Sequence, residues 1–276
     1  MLKPQTMNES DLETERRRLL ASVVDYFSAM PAVCGIFLGG SIPAGRADAW
    51  SDIDMRVVID DDPHATFVEN RLAMPAEWGE LVFNEWLDGT SHCVSHFKPF
   101  GKIDVFYFSA KDFRPSPWYA LPVSILYERD TLLTDVFQQS QNFDFTADRD
   151  EISRSISKGL ATGHEVYRRI QKNQLFYCQS LLNELRYHMI KADDWINDRP
   201  PQTEAYSRLE LRGSPDMLEL FGASYTGTDE AAIRTSLKGL LDFYRDQIKA
   251  LHTRFSPERS LDNDMCAIGI VLDNLD

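Results

Sequence analysis

The segment from Gly35 to Ile59 decides the fold, and it reads Gly-Ile-Phe-Leu-Gly-Gly-Ser-Ile-Pro-Ala-Gly-Arg-Ala-Asp-Ala-Trp-Ser-Asp-Ile-Asp-Met-Arg-Val-Val-Ile. Its apolar first part ends in a glycine turn, Gly39-Gly40-Ser41, and its apolar last part begins with Asp52-Ile53-Asp54. Both apolar parts have the length and composition of strands. Because residues i and i+2 of a strand point to the same face, about 6.5 to 7 Å apart, Asp52 and Asp54 are predicted to share one metal site.

Two carboxylates beside a glycine turn suit the Mg²⁺-assisted transfer of a phosphoryl or nucleotidyl group. Mg²⁺ prefers oxygen ligands and is commonly held by one or two carboxylates together with substrate phosphates. Gly40 allows the backbone to approach a phosphate closely, and Ser41 offers a hydroxyl and an amide as hydrogen-bond donors. Arg46, in the same loop, is a candidate for neutralising a phosphate oxygen.

Three other interpretations of this segment fit less well. Gly40 to Ala47 nearly spells a Walker A loop, but Arg46 and Ala47 stand where that loop requires Lys and Ser or Thr. A phosphatase with an aspartyl nucleophile carries its paired aspartates after the hydrophobic strand, whereas here the strand follows them. A glycosyltransferase with an Asp-x-Asp motif on Mn²⁺ stays open, since only the upstream Gly40-Ser41 argues against it.

The rest of the first half predicts a small mixed sheet with helices. Ser10 to Glu13 has the form of a capping box, and apolar residues follow at helical spacing as far as Phe27, so the chain is predicted to open with an amphipathic helix. The run from Asp60 to Asp62 is predicted to be a solvated turn. Four segments have the apolar, aromatic or β-branched residues that are typical of strands: Val33 to Leu38, Asp54 to Ile59, Glu80 to Leu87 and Lys102 to Phe108.

Near Phe145 the sequence changes from strand-like segments to long helical patterns, which predicts two domains, 1–145 and 146–276. The second contains three long helical patterns: Ala147 to Lys172, Gln174 to Trp195 and Asp229 to Phe255. The predicted fold class is therefore α+β, with a mixed β-sheet flanked by helices followed by a C-terminal helical bundle. We expect the bundle to close a cleft in which the ligands bind.

The charge of the chain narrows its function. With 29 Lys and Arg against 43 Asp and Glu, the 276 residues carry a formal net charge of −14, and counting 12 basic and 22 acidic residues assigns −10 to 1–145. Proteins that bind DNA or RNA neutralise phosphates with Lys and Arg, so no nucleic-acid partner is predicted. The four cysteines form no C-x-x-C pair, and neither a signal segment nor a run of about 18 apolar residues occurs, so we expect a cytoplasmic protein without membrane attachment.

Gly40-Ser41 followed by Asp52-Ile53-Asp54-Met55 resembles the signature of the polymerase-beta-like nucleotidyltransferase superfamily. With its helical second half, the chain is similar to antibiotic nucleotidyltransferases, the lincosamide and aminoglycoside adenylyltransferases. The resemblance implies a third carboxylate on a neighbouring strand, and Asp104 supplies one. It also implies a two-metal site, in which Asp52 and Asp54 bind Mg²⁺ and the nucleoside triphosphate. Asp104 then either completes the second metal site or accepts the proton of the acceptor hydroxyl.

Further candidates follow from position alone. The triphosphate needs cations, and the best in the second half are Arg168, Arg169 and Lys172, although the polar face of an amphipathic helix explains these residues at least equally well. Glu85 is a reserve candidate for the general base. His92 and His96 have the i, i+4 spacing of zinc ligands on a helix, but their segment reads as a loop or strand, so no zinc site is predicted.

The sequence thus predicts a Mg²⁺-dependent nucleotidyltransferase that moves NMP, foremost AMP from ATP, to a hydroxyl of a small molecule and releases pyrophosphate. Antibiotics of the aminoglycoside or lincosamide kind are the leading acceptors. A catalytically silent nucleotide-sensing or antitoxin-like module is a second hypothesis, which the complete carboxylate set disfavours. A third is an enzyme of the same superfamily that modifies a protein or another metabolite, or that polymerises nucleotides. The sequence does not distinguish a monomer from a homodimer.

Overall fold

The computed structural model describes residues 8–85, 89–143, 146–200 and 204–275. The chain divides into two compact units, Met1–Asp144 and Phe145–Asp276. Phe145, the predicted domain boundary, lies outside the described residues. The end of the strand that is predicted from Glu80 to Leu87 also lies outside them.

A six-stranded mixed sheet forms the centre of the first unit. The described strands pair in the order β3-β4-β5-β2-β1-β6. The β2 and β5 strands run parallel, and the other neighbours are antiparallel. The bounds are β1 Val33–Leu38, β2 Ile53–Ile59, β3 Leu81–Asn84, β4 His92–Phe97, β5 Gly101–Ser109 and β6 Ser124–Glu128.

The two central strands, β2 and β5, alternate between a buried and a partly exposed face. Ile53 and Met55 are buried with Ile103 and Val105, whereas the residues between them are partly exposed. The buried side chains pack under the first helix, α1 (Glu9–Ser28), which contributes Val23 and Phe27 among others to the same core. One face of the sheet is therefore committed to the core, and the polar residues of both strands share the other face.

Two predictions about local structure near this core are wrong in detail. Asn8, rather than Ser10, caps α1, because its side-chain oxygen accepts a hydrogen bond from the Ser10 amide at 3.2 Å. The run from Asp60 to Asp62 is not a free turn, since Asp61 begins a second helix, α2 (Asp61–Asn70). Acidic residues are favourable in the first turn of a helix because they face its positive end.

The far end of the polar face is covered by a small aromatic cluster. It is built around Phe37, Phe113 and Phe137, the last from the helix α3 (Leu132–Ser140). The ring centroids of Phe37 and Phe137 lie 4.9 Å apart in an edge-to-face arrangement. This cluster reaches Val58 at the end of β2. The beginnings of β2 and β5, at the other end of these strands, carry the polar residues of this face.

The second unit is helical, as predicted. The three long helices lie close to the predicted positions, while the shorter ones are additions that the sequence patterns did not reveal. Gly159 and Gly163 allow close packing of the first long helix, because a Cβ at these positions would lie 2.5 Å from the Tyr244 Oη and 2.8 Å from a Leu241 methyl carbon. The described helices are α4 Arg149–Gln171, α5 Leu175–Ile196, α6 Leu209–Arg212, α7 Pro215–Ser224, α8 Glu230–Phe255 and α9 Leu261–Leu272.

The α+β fold class predicted from the sequence is confirmed, with a mixed sheet flanked by helices in the first unit and helices in the second. Across the described ranges, none of the helices combines the length and the apolar character needed to cross a membrane.

The second unit contains a buried histidine that predicts how its stability depends on pH. His188 lies on α5 and its Nδ1 is 2.9 Å from the Ser155 hydroxyl. Burial, assisted by the positive charges of Lys191 and Lys158, lowers the pKa of His188 to about 4. In the unfolded chain the pKa returns to about 6.5, so between these values the unfolded state binds more protons than the folded state.

We therefore expect the free energy of unfolding to fall as the pH drops from about 6.5 towards 4, by up to about 3 kcal/mol from His188. In His188→Gln this part of the loss is absent. Urea unfolding followed by circular dichroism, at several pH values, measures both chains. Above about pH 7, the difference between the free energies of unfolding of the wild type and of His188→Gln should be constant. If the free energies of unfolding of the two proteins changed in parallel over the whole pH range, the assignment of this loss to His188 would be contradicted.

Candidate active site

The sheet register brings the three predicted carboxylates together. Asp54 of β2 and Asp104 of β5 are direct neighbours in the parallel pairing, so their side chains point to the same face. Asp52 is two residues before Asp54 and lies just ahead of β2. All three carboxylates therefore stand on the open face, at the end where β2 and β5 begin.

Lys102 neutralises part of this cluster. Its Nζ lies 3.0 Å from the Asp52 Oδ2 and 3.0 Å from the Asp104 carboxylate, so the ammonium bridges the two acidic side chains. Sequence reasoning did not assign a role to Lys102. The signal was available, because Lys102 precedes Asp104 by two residues and must share its face of the strand.

The glycine turn after β1 packs directly against this carboxylate cluster. Gly40 has a φ of +74°, in the left-handed region, and a Cβ at this position would lie 1.9 Å from the Asp54 Oδ2. The Gly39 amide donates a hydrogen bond to the Asp54 carbonyl oxygen at 3.0 Å. Only glycine at position 40 combines this backbone conformation with this close approach.

Ser41 follows the turn with its side chain buried. Among the described residues, its Oγ finds no hydrogen-bond partner. Buried hydroxyl groups are almost always paired within a protein, so an orphaned one beside three carboxylates is suited to a ligand. The prediction that Ser41 serves a phosphate is consistent with this position and is not tested by it.

Arg56 is a second basic residue near the cluster, and the sequence analysis did not assign a role to it. Its Nη1 donates to the Asp54 carbonyl oxygen at 2.9 Å and lies 4.0 Å from the Asp54 Oδ1. The guanidinium stacks over the Phe106 ring, with 5.0 Å to its centroid. Arg46, the predicted phosphate partner, is exposed on the loop, and its backbone amide donates to the Ser41 carbonyl oxygen.

The electrostatics of the cluster favour Asp104 as the carboxylate that accepts a proton. Burial raises its pKa, Lys102 lowers it through a hydrogen bond and its charge, and the charges of Asp52 and Asp54 raise it again, with a net increase. For Lys102, burial opposes the charged form, but the hydrogen bonds from its ammonium to Asp52 and Asp104 outweigh burial and raise its pKa. A carboxylate of raised pKa is the better general base.

The residues present fit a hard divalent cation. The donors are carboxylate oxygens with one hydroxyl oxygen, the set that Mg²⁺ prefers. The positively charged Nζ of Lys102 already occupies a position between two of the carboxylates, as a cation would. As the side chains stand, no three His, Cys, Asp or Glu residues within the described ranges converge into a finished metal site. A cation shared by Asp52 and Asp104 would compete with the Lys102 ammonium for their oxygens.

Glu85 and the two histidines lie on or beside the strands β3 and β4, towards one edge of the sheet. Glu85 follows β3, and its Oε1 is 2.9 Å from the His96 Nε2. The β3 strand is two strands away from β5, so the reserve candidate for the base faces a histidine while Asp104 faces the other carboxylates. His92 and His96 are on the strand β4, where four residues span about 13 Å. This separation is too large for both histidines to bind one zinc ion.

The predicted cations of the second half lie at the end of α4. Arg169 forms an ion pair with Glu165 on the same helix, and its Nη1 donates to the Gln174 side chain at 2.7 Å. Arg168 lies 3.6 Å from the other Glu165 oxygen. Lys172 is the first residue after the helix. These contacts fit a solvated helix face, and a role for the three residues in nucleotide binding stays a prediction.

The chain was compared with known proteins. No family model matches it, and no curated protein matches it. Among solved structures, it is similar to an aminoglycoside 6-adenyltransferase from Bacillus subtilis, at 14% identity and a TM-score of 0.45 over 95% of this chain and 98% of that chain. A nucleotidyltransferase-like protein from Exiguobacterium sibiricum 255-15 has 15% identity and a TM-score of 0.44 over 94% and 88%. A CCA-adding enzyme has 16% identity and a TM-score of 0.33 over 93% and 71%.

The chain is thus similar to nucleotidyltransferases of known structure. At 14 to 16% identity, the similarity is one of fold.

The close contact between Gly40 and Asp54 can be tested by stability. Gly40→Ala should lower the free energy of unfolding through backbone strain and through a clash with Asp54. Gly45→Ala is a matched control, because Gly45 also has a positive φ of +65° but nothing lies within 4 Å of its added Cβ. We expect a cost of about 1 to 2 kcal/mol for Gly45→Ala and at least about 1 kcal/mol more for Gly40→Ala.

Urea unfolding measures both changes. In an Asp54→Ala background, which removes the clashing carboxylate, the two glycine substitutions should become similar in cost. Equal costs in the wild-type background would show that the turn does not press on Asp54.

Proposed function

We propose that this protein is a Mg²⁺-dependent nucleotidyltransferase, which transfers NMP, foremost AMP from ATP, to a hydroxyl group of a small molecule and releases pyrophosphate. The observation that carries the proposal is the in-register pairing of Asp54 with Asp104, with Asp52 on the same face and the Gly40 turn in contact with Asp54. The geometry offers oxygen donors for a divalent cation beside a backbone turn that a phosphate can approach closely.

The proposal gives the three carboxylates different roles. Asp52 and Asp54 hold Mg²⁺ and, with it, the triphosphate, while Asp104 accepts the proton of the acceptor hydroxyl or completes a second metal position. When bound, the metal ions neutralise the phosphate charge and align the attacking and leaving oxygens. Asp104 is the preferred base because it has the raised pKa and lies beside the other two carboxylates.

The proposed reaction exchanges one phosphorus–oxygen bond at the α-phosphorus for another. The acceptor hydroxyl oxygen forms a bond to the α-phosphorus, and the bond from that phosphorus to the oxygen bridging to the β-phosphorus breaks. Pyrophosphate leaves with the bridging oxygen, and the hydroxyl proton passes to the carboxylate of Asp104. Ser41, with its unpaired buried hydroxyl, and the backbone at Gly40 orient the phosphates. Nearby, Arg56 steadies the backbone of Asp54 through its hydrogen bond.

The acceptor in this proposal is an antibiotic of the aminoglycoside or lincosamide kind. The −10 charge of residues 1–145 supports an acceptor that is cationic or neutral over one that is anionic. Arg168, Arg169 and Lys172 are kept in the proposal as further cations for the triphosphate, and no nucleic acid takes part in it. A silent nucleotide-binding module would not need Asp104 in register with Asp54, so the catalytic alternative is favoured.

Removal of each carboxylate charge tests the proposal. Asp52→Asn and Asp54→Asn should each lower pyrophosphate release from ATP and Mg²⁺ by a factor of about 100 or more, because the divalent cation loses a charged ligand. Asp104→Asn should keep nucleotide binding but lose turnover by a factor of about 100 or more. The assay uses a panel of aminoglycoside and lincosamide acceptors.

Asp62→Asn is the control, since Asp62 is an exposed carboxylate in the first turn of α2. Its activity should equal that of the wild type. Unchanged release in Asp52→Asn and Asp54→Asn would refute the metal site, and unchanged turnover in Asp104→Asn would remove its role as the base.

Lys102 should compete with Mg²⁺ for the carboxylates. In Lys102→Met, Asp52 and Asp104 lose the ammonium that bridges them, so we expect a lower melting temperature without Mg²⁺ and a larger rise when Mg²⁺ is added. The Mg²⁺ concentration at half of the thermal shift should fall by a factor of about 10. Lys98→Met is the control, because Lys98 is exposed and pairs with Glu80 outside the cluster. An unchanged Mg²⁺ dependence in Lys102→Met would contradict the competition.

A further inference from the structure

A cavity adjoins the carboxylates on the side of β3, β4 and β5. Its volume is about 340 Å³, within the range of small-molecule sites. Asp52 and Lys102 line one part of it, and the remaining lining comes mainly from β3, from the end of β4 and from the residues that follow β4. Another cavity, of about 400 Å³, is lined by residues of α1 and α2 and the segment after α2, and it touches none of the three carboxylates.

Three aromatic rings line the cavity beside Asp52 while remaining largely in contact with solvent. The exposed fractions are 55% for Trp50, 52% for Phe83 and 65% for Phe100. The centroids of Trp50 and Phe100 lie 6.0 Å apart in an edge-to-face arrangement. Phe83 stacks flat on His96, with 4.2 Å between their centroids. Exposed apolar surface that is concentrated around a concave site is a common mark of ligand binding.

The order of the strands separates this cavity from the phosphate turn. Gly40 and Ser41 follow β1, the carboxylates are on β2 and β5, and the cavity extends from β5 across β4 to β3. From β1 to β4 there are three strand spacings, about 14 Å. In an in-line displacement, the attacking oxygen and the leaving oxygen lie on opposite sides of the phosphorus. With the leaving pyrophosphate on the side of the turn, the attacking hydroxyl comes from the side of the cavity.

We propose that this cavity receives the acceptor, and that the acceptor is a hydroxyl-bearing molecule with one flat or aliphatic apolar face. The inference rests on the nucleotidyltransferase activity proposed above. The hydroxyl lies at the inner end, near Asp52 and Lys102 and within the carboxylate cluster that includes Asp104. The apolar face lies against the rings of Trp50, Phe83 and Phe100. A polyamine sugar with polar groups on every side would leave these rings without an apolar partner.

The charges around the cavity agree with this class of acceptor. At the inner end, Asp52 is already paired with Lys102, and at the side, Glu85 is paired with His96. Few unpaired charges are thus offered to a ligand by these residues, so recognition depends on the apolar rings and on the hydroxyl. An acceptor with several ammonium groups needs more free carboxylates than these two pairs provide.

The double variant Trp50→Ala/Phe100→Ala tests the proposal, because both rings are exposed and their removal should leave the fold intact. Leu211→Ala is the control, as an apolar side chain 81% exposed on α6 of the second unit. The two probes are lincomycin, which joins a hydroxylated sugar to an alkylated pyrrolidine, and kanamycin, which is polycationic without an apolar face. Calorimetry with Mg²⁺ and a non-hydrolysable ATP analogue measures binding, and pyrophosphate release measures turnover.

We expect the wild type to bind lincomycin more tightly than kanamycin, and the double variant to bind lincomycin at least 10-fold (roughly) more weakly with an unchanged KM for ATP. The proposal is overturned if lincomycin does not bind, if kanamycin is preferred, or if the double variant binds lincomycin like the wild type. An increase in the KM for ATP instead would assign the rings to the nucleotide. A changed sedimentation coefficient of the double variant would assign them to contact between two copies of the chain.

The outcome is separable from that of the proposed function. Lincomycin binding that depends on Trp50 and Phe100, without any pyrophosphate release, would retain the cavity as a binding site and refute the transferase. Pyrophosphate release with kanamycin that is the same in the wild type and the double variant would support the transferase and refute the cavity as the acceptor site.

Discussion

Repulsion among three carboxylates is the constraint on which the rest of the first unit depends. The parallel pairing of β2 with β5 places Asp54 directly beside Asp104, and Asp52 shares their face. Like charges at this spacing repel, and the sheet tolerates them because Lys102 lies between Asp52 and Asp104. The Lys102 ammonium therefore balances part of the negative charge of the cluster, and in the proposed function a metal ion would use the same carboxylate oxygens.

The remaining elements of this unit keep that pairing in place. The alternating residues of β2 and β5, Ile53 and Met55 with Ile103 and Val105, are buried against α1 and anchor the two strands. A slip of one residue in either strand would bury carboxylates and expose these apolar side chains, so the core enforces the register of the site. The glycine turn adds a second limit, since Gly40 leaves no room for Asp54 to move towards β1.

Much of this arrangement was predictable because it follows local rules. Short apolar runs predicted β1 and β2, aromatic and β-branched residues predicted β5, and the i, i+2 rule placed Asp52 and Asp54 on one face. The short runs of polar and aromatic residues in β4 and β6 lack a clear alternation, so the sequence does not distinguish a loop from a strand at β4. The acidic run from Asp60 to Asp62 is equally typical of a turn and of the beginning of a helix, and the structure has the helix. These errors concern patterns that two local structures share.

The contacts across strands were harder to predict because no local pattern encodes them. Arg46 is predicted as a site residue because it lies in the loop after the glycine turn, whereas the structure places Arg56 against Asp54. The bridge from Lys102 to Asp52 joins residues 50 positions apart. The aromatic cavity combines a loop before β2 with β3 and the hairpin after β4, which is a property of the folded sheet.

The most direct test of the central claim is a crystal structure with Mn²⁺ and a non-hydrolysable ATP analogue, in which anomalous scattering locates the metal. Because Mn²⁺ favours the same oxygen ligands as Mg²⁺, the account predicts an ion bound directly by Asp52 and Asp54, with the triphosphate against Gly40 and Ser41. It also predicts that the Lys102 ammonium has moved out from between Asp52 and Asp104. A bound nucleotide with its metal at other residues, and with Lys102 still bridging the two carboxylates, would contradict the account.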